Sequence, residues 1–144
     1  MANYYTEFSV LLDLTEKQTL YAIELHKQAE AKRSDDTPLP DDFPKELECD
    51  IDDWCFDAEE DGGLWLHSQE GGLNAAASFI AYLLSKFELD IYVTVEWANT
   101  CDKPRTDGFG GGAYLITKDT IKCMTTSEWL QQAIHDLNSD GKNS

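Results

Sequence analysis

Residues 47–68 read LECDIDDWCFDAEEDGGLWLHS, and the way this stretch pairs with itself decides the fold. Asp61-Gly62-Gly63 is a hairpin signal, because glycine takes the positive φ of a tight turn without steric cost. Residues 64–68 return as a short strand. On the other side of the turn, residues 47–59 place Leu47, Cys49 and Ile51 in alternation with Glu48, Asp50 and Asp52, the period of a half-buried strand. Trp54 and Phe56 share the parity of the aspartates, so the pattern predicts a bulge or break near Asp53.

Working outward, residues 5–14 set Phe8, Val10 and Leu12 against Glu7, Ser9 and Leu11 and predict a first strand. Thr15 and Gln18 form a capping box that opens a helix with Tyr21, Ala22, Leu25 and Ala29 on one face, ending near Arg33. His26 is placed on or near its polar face. Residues 34–44, with three prolines and four aspartates, predict an exposed loop. Beyond the hairpin, Asn74 is expected to cap a core helix carrying Ala76, Phe79, Ile80, Leu83, Leu84 and Phe87. Ile91, Val93, Val95 and Trp97 alternate as a further strand, and residues 98–112 read as a loop. Residues 113–117 and 120–124 pair around Lys118-Asp119. A second capping box, Thr125 with Glu128, starts a helix showing Trp129, Leu130, Ala133, Ile134 and Leu137.

The order β-α-β-β-α-β predicts an α+β fold with a ferredoxin-like core, two helices on one face of an antiparallel sheet, extended by a C-terminal β-hairpin partner and helix. A single domain is expected over residues 1–137, with residues 138–144 as a disordered polar tail. Such a core hosts many unrelated activities and does not by itself name one.

Charge narrows the choice of partner. Thirteen of the 27 residues from 35 to 61 are Asp or Glu against Lys45 alone, which gives −12 of the chain's formal −17. Carboxylates repel phosphates, so direct nucleic-acid binding and binding to anionic membranes are not expected. Four Trp, six Tyr and six Phe in a chain that is 42% hydrophobic argue for a packed core despite the charge. No stretch reaches the ~20 apolar residues of a membrane helix. The first residues show no secretory pattern, and Cys49, Cys55, Cys101 and Cys123 lack the paired spacing of a zinc site. The expectation is a cytoplasmic protein with reduced thiols and no cofactor.

These features predict a non-enzymatic interaction protein that binds and blocks a basic, nucleic-acid-binding protein, in the manner of a phage or plasmid counter-defence inhibitor or a toxin immunity protein. Asp50, Asp52, Asp53, Asp57, Glu59, Glu60 and Asp61 would supply the field, with Trp54 and Trp65 as aromatic anchors. An alternative is a small-ligand-binding or enzymatic domain using the 98–112 loop, with Cys101, Lys103, Arg105, Gly110, Gly111 and Gly112 as an anion-holding set. A third is a structural calcium ion at Asp57, Glu59, Asp61 and Gly62. Ser68 stands where the bidentate Glu of a calcium loop belongs, so a plain hairpin turn is the preferred reading. His67 and Ser68 are adjacent on a strand and point to opposite faces, so they form no nucleophile–base pair, and no catalytic residue is assigned.

The segments WANTCDKPR at 97–105, FGGGA at 109–113 and SEWL at 127–130 resemble small uncharacterised proteins encoded in bacteria and their phages. The resemblance covers about a quarter of the chain and implies no established activity. It favours the central loop as the distinctive feature, whereas charge favours the acidic tract.

Overall fold

The computed structural model describes residues 4–103 and 109–142. The chain forms β1 (Tyr4–Leu12), α1 (Glu16–Asp35), a 3-10 helix (Lys45–Asp53), β2 (Asp57–Glu60), β3 (Leu64–Ser68), α2 (Leu73–Lys86), β4 (Val93–Cys101), β5 (Gly110–Ile116), β6 (Ile121–Thr125) and α3 (Thr126–Lys142). This is an α+β fold with one six-stranded sheet in the order β2-β3-β1-β4-β5-β6. Every neighbouring pair in it is antiparallel.

The strand registers sort side chains cleanly between the two faces. Phe8 lies opposite Ser68, Leu12 opposite Leu64, Val95 opposite Tyr114 and Ile116 opposite Ile121, and the apolar members of this set point at the helices. Phe8, Leu12, Leu64, Leu66, Val95 and Ile116 join Ala22, Leu25, Ala29, Phe79, Ile80, Leu83 and Leu84 in one buried cluster. The opposite face carries Ser9, Leu11, Trp65 and His67, paired as Ser9 with His67 and Leu11 with Trp65. An antiparallel sheet tolerates such a solvated face.

The expected helix starts are partly realised. The Thr15–Gln18 capping box is present in both directions, at 3.2 and 3.0 Å. Thr125 Oγ1 accepts from the Glu128 backbone N–H at 3.1 Å. Asn74, however, does not cap α2. Gly72, at φ 78°, is the N-cap residue, and the carboxylate of Asp53 accepts from the Ala75 N–H at 3.2 Å in the place of a local cap. Asn74 instead accepts a hydrogen bond from the Tyr114 hydroxyl at 2.7 Å.

Four further expectations are corrected. Residues 47–53 belong to the 3-10 helix, not to a strand, and only Asp57–Glu60 pairs with β3. The alternation misled because Leu47 and Ile51 are buried one helical step apart, while Cys49 between them faces solvent. Of the described residues between 98 and 112, most are strand. β4 continues to Cys101 and β5 starts at Gly110, joined by the pairs Asn99 with Gly110 and Ala98 with Gly111. Polar ladders replace apolar alternation there, with Thr6 Oγ1 donating to Asn99 at 3.0 Å and Thr100 Oγ1 to Glu7 at 3.2 Å. His26 is 4% exposed, and its Nε2 donates to the Phe56 carbonyl at 2.7 Å. Finally, α3 continues past Leu137 to Lys142, so the segment expected as a tail starts as helix.

Candidate functional site: the acidic edge of the sheet

The acidic tract runs from the helical layer, where its 3-10 helix packs on α2, to one edge of the sheet. Its first part is the 3-10 helix, held to the body by Leu47 and Ile51, and its second part is β2, the edge strand. A tight turn separates them, closed by Cys55 N–H donating to the Asp53 carbonyl at 2.9 Å. Asp52, Asp57, Glu59, Glu60 and Asp61 are exposed, whereas Asp50 and Asp53 are half-buried. Among the described residues, no carboxylate between 41 and 61 pairs with a Lys or Arg. Their field is therefore not neutralised locally.

Of the two expected anchors, Trp54 is corrected. It is 1% exposed and packs on Phe56 at 5.0 Å and Phe79 at 5.1 Å between ring centroids, in an aromatic group that includes His26. Its buried ring holds the acidic segment to the core. Trp65 lies half-exposed on the open face of the sheet. Its Nε1 donates to Ser9 Oγ at 2.7 Å, and its ring stacks on His67 at 3.8 Å. His67 Nε2 is 2.7 Å from Glu59, and Nδ1 is 4.0 Å from Asp57. Both ring nitrogens thus face carboxylates. Ser68 points to the other face, where its Oγ donates to the Cys55 carbonyl at 3.2 Å.

Where β2 begins at Asp57, a cleft of about 880 Å³ opens between the last turns of α1, residues 54–57 and the end of β3. Glu7, Glu30, Asp57 and Glu70 line it, with Arg33 and His67 as the basic groups. Glu7, Glu30 and Glu70 come from three elements outside the tract, and sequence reading missed them. The β1 alternation did place Glu7 on the face opposite Phe8, but nothing in one sequence says that this face meets residues 57 and 70. Cys55 also lines the cleft, and burial followed by the nearby Asp53 charge pushes its thiol up from the ordinary range. A thiolate is disfavoured in such surroundings, which makes it a poor nucleophile. The arrangement is suited to receiving ammonium or guanidinium groups.

The second candidate set lies only in part within the described residues. Cys101 is half-buried at the end of β4, Lys103 is exposed beyond it, and Arg105 lies outside the described residues. The glycines have a packing role. A Cβ on Gly112 would come within 2.5 Å of the Trp97 ring and 2.2 Å of the Met124 carbonyl, so glycine is what lets Trp97 fold over β5. Gly111 N–H donates to Thr126 Oγ1 at 3.2 Å, which fastens the start of α3. Among the described residues, no group of three or more His, Cys, Asp or Glu side chains is arranged to hold a metal ion. Among the same residues, no helix is long and apolar enough to cross a membrane. No protein family, curated protein or solved structure matches this chain.

Proposed function

We propose that the protein is a non-enzymatic interaction protein whose acidic edge receives and blocks a basic protein surface, one built to hold nucleic acid. The observation that carries this reading is the exposed row Asp52, Asp57, Glu59, Glu60 and Asp61, which has no Lys or Arg partner among the described residues and is continued into a cleft by Glu7, Glu30 and Glu70. Spaced carboxylates on a rigid edge imitate a phosphate backbone and raise the encounter rate with a cationic cleft. Trp65, flat and half-exposed beside them, supplies contact area. A counter-defence inhibitor of phage or plasmid origin and an immunity protein for a nuclease toxin both need this kind of surface. The resemblance to small bacterial and phage proteins is compatible with either.

The same reading takes the core as ferredoxin-like. The strand order β2-β3-β1-β4, with α1 and α2 contributing to the buried cluster on one face, supports it, and β5, β6 and α3 are then additions.

The test is capture from bacterial lysate on the immobilised chain, eluted with rising salt. A basic protein released steeply as salt increases, and no longer retained by a variant with Asp57, Glu59, Glu60 and Asp61 changed to Lys, supports the proposal. Equal retention by the reversed variant, shown to be folded by circular dichroism, overturns it.

A further inference from the structure

The end of the molecule away from the acidic edge has the opposite character. α3 displays Trp129, Leu130, Ile134 and Leu137 at 59, 53, 56 and 70% exposure, and Ala133 is half-buried among them. Within the chain the helix is fastened to the sheet at its first turn, by Thr126, and most of its described side chains beyond that turn are exposed. A helix of this length, ending in Asn-Ser-Asp-Gly-Lys, is marginal in water without a surface to pack on. Ile121 and Met124 on β6, the edge strand just before it, are exposed as well, on opposite faces of that strand. The four large side chains of the α3 stripe, each more than half exposed, present several hundred Å² of apolar surface, the scale at which a patch marks a contact site.

We infer that this surface is the core of a two-fold dimer, with α3 of one copy packed against α3 of a second copy. Three observations select a second copy as the occupant. First, the spacing of Leu130, Ala133, Ile134 and Leu137 is the 3–4 pattern of helices that pair along a seam. Second, the stripe is self-complementary, with bulky Trp129 beside small Ala133, so each copy offers both a knob and a hole, as an isologous interface requires. Third, charge is segregated along the chain. Residues 109–144 hold four acids and three bases, a net −1, whereas residues 1–108 hold the remaining −16. A basic partner is drawn to the other end, and two copies of a −17 chain meet with least repulsion here. A stable dimer needs roughly 800 Å² per partner, so polar residues flanking the stripe would take part in the interface as well.

The experiment is sedimentation equilibrium of the full chain across a wide concentration range, at moderate and high salt. A monomer–dimer equilibrium that tightens as salt rises is expected, because screening reduces repulsion between the acidic ends while apolar contact persists. The double variant Leu130→Gln, Ile134→Gln should weaken self-association about tenfold or more. Gln is at least as good a helix former as Ile, so the substitution leaves intrinsic helix propensity intact. A wild-type chain that stays monomeric at about 100 µM overturns the inference and assigns the stripe to a different partner. A double variant that dimerises as tightly as wild type also overturns it, since the interface then lies elsewhere. The four-Lys variant of the acidic edge should dimerise at least as well as wild type, so loss of partner capture and loss of self-association are read separately.

Discussion

Trp54 shows what a single residue can and cannot disclose. Flanked by Asp52, Asp53 and Asp57, it reads as an aromatic anchor in a charged surface, yet it is 1% exposed and packed against Phe56 and Phe79. The sign of a missed core residue was present, since Trp54 and Phe56 broke the parity of the residues before them. A chain that changes parity there has turned over, and the turn at Asp53–Cys55 is that event. Trp54→Ala is therefore expected to destabilise the fold by about 3–5 kcal/mol in denaturant unfolding, through lost burial and the cavity left behind. Trp54→Phe should cost much less, because the indole Nε1 has no hydrogen-bond partner to lose. Equal stability of wild type and Trp54→Ala would contradict the packing described. Tyr114 gives a second residue-level expectation. Burial, then the nearby Cys123, hold its hydroxyl protonated, with its pKa pushed up to about 12. In the unfolded chain it ionises near its ordinary value of about 10. The folded state thus keeps the proton longer, and the associated stability is full below about pH 10 and lost as pH rises towards about 12. Tyr114→Phe should remove that part of the alkaline loss, read as a smaller drop in unfolding midpoint between about pH 9 and pH 11.5. Tyr82, also raised by burial and by its bond with Tyr21, keeps the remainder.

At the scale of elements, most of the fold was legible, because the signals used are local. The Thr15–Gln18 box, the Asp61–Gly63 turn and the helical stripe of α2 each act within a few residues, and each forms as its pattern implies. The 3-10 helix was misread for a physical reason. Two apolar residues four apart suit a helix, and a cysteine between them imitates the period of a strand. The extension of β4 and β5 was hidden because polar ladders and glycines carry no hydrophobic alternation. Of the candidate site, the charge of the tract was plain, but the cleft was not, since Glu7, Glu30 and Glu70 meet it only through strand order. The link between the 3-10 helix and α2 is likewise tertiary. Asp53 caps α2 from outside it, so Asp53→Ala should cost about 0.5–2 kcal/mol and lower the helical signal. Gly112→Ala is expected to cost about 1–3 kcal/mol or more, as the new Cβ would drive the Trp97 ring off β5. Wild-type melting behaviour in either variant would show that the contact in question does not hold the element.

Across the whole molecule, charge and apolar surface lie at opposite edges of one sheet. β2, short and acidic, closes one edge, where repelling carboxylates discourage a further strand from pairing. β6 and α3, nearly neutral, close the other edge. This polarity predicts that salt acts with opposite sign on two properties of the same chain. The carboxylates of residues 41–61, with no Lys or Arg partner among the described residues, repel one another in the folded state more than in an expanded chain. Raising salt from about 0.01 M to about 1 M shortens the Debye length from about 30 Å to about 3 Å and removes most of that repulsion. The melting temperature should accordingly rise with salt, while a complex formed through the acidic edge should weaken over the same range. In the variant with Asp57, Glu59, Glu60 and Asp61 changed to Lys, the tract holds opposite charges in place of like ones. Its melting temperature should then exceed that of wild type at low salt and respond less to added salt. Calorimetry of the two chains at low and high salt decides the matter. A melting temperature indifferent to salt in both would mean that the acidic edge carries no uncompensated field, and the proposed attraction for a basic partner would lose its physical basis.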